Sequence, residues 1–72
     1  MKRTTDIAKA IGTARLATSA ASFAGAARYA ARRMGAMDLV DLSDRDGTMR
    51  RLDAQVALMR WEALEARRAL LG

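Results

Sequence analysis

Cysteine, histidine and proline are missing altogether from this 72-residue chain, and its aromatics are reduced to Phe23, Tyr29 and Trp61. Without cysteine there is no disulfide, no thiolate metal ligand and no thiol nucleophile. Without histidine the chain lacks the commonest general base, the commonest metal ligand and the usual switch near neutral pH. The lack of proline removes the strongest helix breaker, and the scarcity of β-branched and aromatic side chains argues against a sheet. Ala, Leu, Arg and Met, all strong helix formers, take their place. The composition therefore predicts an all-α protein. Residues 1–72 read as a single helical domain, near the size at which one core is only marginally stabilising.

Long apolar runs are missing too. The longest charge-free run, Leu16 to Ala27, is about half of the ~20 residues a membrane span needs, and it is rich in Ala and Ser rather than Leu. It is equally weak as the apolar region of a signal peptide, and no convincing cleavage pattern follows it. These features, with the lack of cysteine, favour an intracellular setting but name no compartment. Residues 1–34 are also Arg-rich, Ser/Thr-rich and poor in acids, the profile of a mitochondrial presequence.

The net charge of +5 is unevenly spread. Residues 1–37 hold seven Lys and Arg against Asp6, residues 38–48 hold four Asp against Arg45, and residues 49–72 hold five Arg against three acids. A basic first half suits anionic surroundings such as phosphate, lipid headgroups or an acidic partner. Arg28, Arg32 and Arg33 form its densest cluster and are the candidate anion contacts.

Periodicity is more informative than charge. Leu16, Ala20, Phe23, Ala27, Ala30, Met34 and Met37 follow one another by alternating steps of four and three, as the a and d positions of a heptad do. Met49, Leu52, Val56, Met59, Ala63, Ala66 and Leu70 repeat the pattern independently. The spacing predicts a first helix over about residues 5–37, an acidic connection over about 38–46 and a second helix over about 47–71. Thr4 or Thr5 is the expected start of the first helix, with Asp6 in its first turn. Ser43 or Asp44 is the expected start of the second, with Asp46 following. Arg67 and Arg68 sit in the last turn, where the helix dipole favours positive charge. So short a connection makes the helices antiparallel neighbours, an αα-hairpin whose core seam combines Leu16, Ala20, Phe23, Ala27, Ala30 and Met34 with Leu52, Val56, Met59, Ala63, Ala66 and Leu70.

One stripe per helix is a thin core for this length. The second helix also carries an apolar line off its seam, formed by Ala54, Ala57, Leu58, Trp61, Leu64 and Leu71. Leu58, Trp61 and Leu64 lie on a flank that one neighbouring helix does not cover, and exposed apolar patches anchored by Trp mark partner surfaces. A four-helix bundle of two copies would bury them, as would docking on a larger assembly.

The chemistry-bearing patterns fail on inspection. Asp44, Asp46, Gly47 and Asp53 match places three, five, six and twelve of a helix-loop-helix calcium loop, but place one would be Leu42 and place nine Arg50. The glycines are isolated, so no phosphate-cradling loop exists. Ser19, Ser22 and Ser43 have no histidine to activate them. Glu62 and Glu65 are better explained by an ion pair between Glu65 and Arg68 than by acid–base work. No enzyme, cofactor, metal or small-molecule substrate is expected.

The sequence thus reads as a small non-catalytic structural or assembly subunit, acting through helix–helix packing in a homo-oligomer, a multisubunit complex or a virion. A basic dimeric nucleic-acid-binding regulator is the alternative, supported by charge alone. A membrane-surface protein is the second alternative, weakened by an apolar face with few large side chains.

Overall fold

Ile7, Ala10, Ile11 and Ala14 recur at steps of three and four, so a helix made from them has an apolar face that needs a partner. The computed structural model, which describes residues 2–72 and side chains from Thr4 onward, supplies that partner from within the first half of the chain. The expected single helix over about 5–37 is two helices, α1 (Lys2–Leu16) and α2 (Ala20–Arg33), folded back on one another. α1 begins before Thr4, and Asp6 lies at 3.8 Å from Arg33 of α2 rather than serving a helix start. With α3 (Arg45–Leu71), the described residues form an all-helical protein of three α-helices and a short 3-10 turn at Met37–Leu39.

The break at residues 17–19 has a local cause. Ser19 takes an extended backbone conformation, and its Oγ accepts the backbone N–H of Ser22 at 3.1 Å, which caps α2. It also has a tertiary cause. A continuous helix would leave Ile7 and Ile11 with nothing to pack on, whereas the fold-back buries both against a face containing Phe23, Ala27, Ala30 and Ala31. Alanines on both sides let the backbones approach closely, and the one large aromatic of this core, Phe23, fills the space they leave.

α2 ends in a Schellman motif. Gly35 adopts φ +65°, the Ala36 N–H donates to Ala31 O at 2.8 Å and the Gly35 N–H to Arg32 O at 3.2 Å. Ala36 and Ala31 are both buried, the apolar contact that accompanies the motif. The chain then crosses back through the 3-10 turn to start α3, where the Asp44 carboxylate accepts the Gly47 N–H at 3.0 Å. Gly47 and this cap are interdependent, because a Cβ at residue 47 would lie 2.0 Å from Asp44 Oδ2.

Polar side chains stitch the connection to α3. Thr48 is fully buried, donates to Asp41 O at 2.9 Å and accepts the Asp41 N–H at 2.9 Å. Arg51 donates through Nε to Leu39 O at 2.9 Å. Arg45, the first residue of α3, reaches back to the end of α1 and donates to the carbonyls of Ala14, Arg15 and Ala17 at 3.1, 3.2 and 2.6 Å. Its guanidinium lies 5.0 Å from the Phe23 ring centroid, in cation–π range. One side chain thus bonds carbonyls at and just past the end of one helix while stacking on a second.

α3 runs antiparallel to α1. Arg15 pairs with Asp53 near the turn between α1 and α2, while Thr4 and Ile7 share a groove with Met59 and Ala63 at the other end. At ~1.5 Å per residue, a helix of 27 residues is about 40 Å long, most of the 46 Å long dimension of the molecule. α1 and α2 are little more than half that length.

Candidate interaction surface

Length mismatch between helices creates the surface. Met49, Leu52 and Val56 of α3 are buried against α1 and α2, and Met59 is half-buried. From Ala57 to Gly72 only Met59 and Glu65 are less than exposed. Of the predicted seam, Phe23, Ala27, Ala30, Leu52 and Val56 are buried and Met34 is half-buried. Leu16 and Ala20 are exposed because they flank the break between α1 and α2, which turns the stripe outward there. Ala63, Ala66 and Leu70 are exposed because α3 outruns its neighbours.

The apolar line off the seam is exposed along its whole length. Ala54 and Ala57 are exposed, and Leu58, Trp61, Leu64 and Leu71 retain 47%, 58%, 59% and 81% of their accessible surface. A heptad grid with Ala54, Trp61 and Arg68 at a and Ala57, Leu64 and Leu71 at d places Met49, Leu52, Val56 and Met59 all at c or f. In a heptad the f position points away from the a/d seam. One helix therefore presents two apolar faces, one used inside the chain and one turned outward.

The basic residues are divided rather than gathered. Arg33 lies over the Tyr29 ring at 5.9 Å and beside Asp6, so it is engaged within the fold. Arg28 and Arg32 are exposed and have no ion pair among the described residues. On α3, Glu65 pairs with Arg68 at 3.5 Å, as the sequence spacing suggested. Arg15 Nη2 reaches both oxygens of Asp53, at 2.7 and 2.5 Å, across the α1–α3 groove. These side chains are half-exposed, so the pair contributes about 0.2–1 kcal/mol.

That groove, lined by Ala8, Ile11, Val56, Ala57 and Arg60 beside the ion pair, has a volume of about 240 Å³. Small-molecule pockets usually run from about 300 to 1,000 Å³ and bring unpaired polar groups together. Here Arg15 and Asp53 are already paired to each other, and among the described residues Arg60 has no polar group converging with it. No cluster of acids among the described residues could hold a metal ion. Of the calcium-loop candidates, Asp44 caps α3 and Asp53 is taken by Arg15. Among the described residues Asp41 is the one titrating group with a clear shift. The Ser43 hydroxyl at 2.6 Å, then the Ser43 N–H at 3.0 Å, hold its carboxyl below the ordinary aspartate range, with the nearby Arg51 charge adding to them. This is a turn-stabilising arrangement rather than a proton-transfer site.

No helix among the described residues is long and apolar enough to cross a membrane. No protein-family model, curated protein or solved structure matches the chain.

Proposed function

We propose that the chain is a small assembly subunit that works by offering the outer face of α3 to a protein partner. The observation that carries this reading is the exposed line of Leu58, Trp61, Leu64 and Leu71 on a helix that extends past its own core. An apolar stripe on a helix is buried in a stable protein, and Trp is among the commonest interface anchors. Nothing in the reading requires chemistry; it requires a stiff helix held at a defined angle, which Arg45, Thr48 and Arg51 provide.

The test is the mass of the native species by light scattering, alone and with its co-purifying proteins. A mass above the 7.8 kDa of one chain, reduced by Trp61→Ala without loss of helicity, supports the proposal. A stable monomer that carries no partner overturns it.

The nucleic-acid alternative draws on Arg28 and Arg32, which are exposed and unpaired among the described residues. Titration against duplex DNA and RNA at two salt concentrations checks it: a steep salt slope with a sequence or structure preference favours that reading. Surface attachment to lipid has less to draw on, since Ile7, Ile11 and Phe23 are turned inward.

A further inference from the structure

The outer face of α3 carries, besides its apolar line, a charge pattern that specifies a partner and an orientation. On the heptad grid given above, Asp53, Arg60 and Arg67 occupy g, while Leu58 and Glu65 occupy e. One flank of the outward seam is therefore basic beyond Asp53, and the other is apolar and then acidic. Asp53 is already held by Arg15, which leaves Arg60 and Arg67 to define the first flank.

Flanking charges decide how two such helices pair. In a parallel two-stranded coil, a g residue faces the e residue five positions further along the partner. Arg60 then meets Glu65 of the second copy, and the two-fold axis repeats the contact. In an antiparallel pair g faces g and e faces e, so arginine meets arginine on one side and Glu65 meets an e residue on the other. The seam itself fits a second copy equally well, with Ala54, Ala57, Trp61, Leu64 and Leu71 each stacking on its own equivalent. Parallel pairing also sets Arg68, at an a position, opposite its own equivalent; this costs stability but fixes register, as a single polar a residue does, and Glu65 at 3.5 Å draws each head toward the rim and offsets its charge.

From this complementarity we infer that the partner is a second copy of the same chain, joined by parallel α3–α3 pairing over residues 54–71, with Arg60 of each chain on Glu65 of the other. The inference rests on the assembly reading and adds to it the identity and orientation of the partner. The buried c/f face remains on α1 and α2, so pairing needs no unfolding.

The lack of native cysteine makes a direct test available in the full chain. Ala54→Cys and Leu71→Cys, one at an a and one at a d position, are each oxidised separately, then as a mixture. Parallel pairing puts each position opposite itself, within the ~4.4–6.8 Å Cα separation of a disulfide, so both single variants give covalent dimers. Cross-linking only in the mixture indicates antiparallel pairing and overturns the inference while leaving the assembly reading intact. A monomer found only in complex with a different protein does the same. A monomer with no partner at all overturns both. As a second measurement, Arg60→Glu should raise the dimer dissociation constant about tenfold, since two attractive contacts become repulsive. An equimolar mixture of Arg60→Glu and Glu65→Arg chains should restore wild-type affinity, because in the mixed dimer one contact reforms with its signs exchanged and the other keeps the native pair. Failure of that rescue counts against the parallel register.

Discussion

The two halves of α3 are built from similar residues and do opposite things. From Arg45 to Val56 the helix is sewn in: Met49, Leu52 and Val56 are buried, Thr48 and Arg51 hold the connection, and Arg45 closes the end of α1. From Ala57 onward the same helix has almost no burial, although it carries more large apolar side chains. Apolar content therefore does not decide what is core here. The reach of the neighbouring helices does, and it leaves the apolar surface of the far half exposed.

This contrast can be broken from the sewn side first. Leu52→Ala removes a fully buried side chain from a small core and should cost about 2–5 kcal/mol. In a domain of this size that is enough to abolish the cooperative transition in urea followed by circular dichroism. Arg45→Ala comes next, at about 1.5–3 kcal/mol, because hydrogen bonds to a charged donor are lost and carbonyls of α1 are left without it. Arg45→Lys should recover only part, since an ammonium lacks the planar fork that spans several carbonyls. Thr48→Val keeps the shape and removes the hydroxyl. With the Asp41 N–H and C=O both losing their partner, about 1–3 kcal/mol should be lost in the same urea titration.

On the free side the expectation reverses. Trp61→Ala should change the stability of the isolated monomer by about 0.5 kcal/mol or less, as for other exposed positions. A large monomer destabilisation would show that the far half of α3 is core after all. The smallest effect concerns Asp41. Its folded pKa is held below the unfolded one, so its contribution is fully present above the unfolded pKa and is lost as pH falls through the folded value. Asp41→Asn should therefore flatten the acid-side fall in the urea midpoint while leaving Arg45 and Trp61 effects unchanged.

Much of this contrast was legible in the residues. The all-α class followed from composition, and α3 from its heptads, with an observed start at Arg45 close to the predicted one. The outward line through Trp61 was visible as an off-seam stripe. The break between α1 and α2 was not read, although its signal is present: Ser19 is a good cap residue, and Ile7, Ala10, Ile11 and Ala14 form a stripe of their own. The heptad through Leu16 and Ala20 runs across the break because alanine satisfies nearly any apolar period, so an Ala-rich segment matches a long helix and a folded one equally. Gly35, with Arg32 and Arg33 before it, carries the signature of a helix end and marks the true stop of α2. The roles of Arg45 and Thr48 had no local signal. Both depend on backbone groups that tertiary folding brings near, and those contacts leave no periodic trace.

Arg45 belongs to α3 by sequence, touches α1 by hydrogen bonds and α2 through Phe23. A contact shared three ways cannot be surrendered by one helix alone. Opening any of them costs the other two the same side chain. Amide protons around this residue in all three helices should therefore exchange together, while those beyond Met59 exchange early and independently at dilutions where the chain is monomeric.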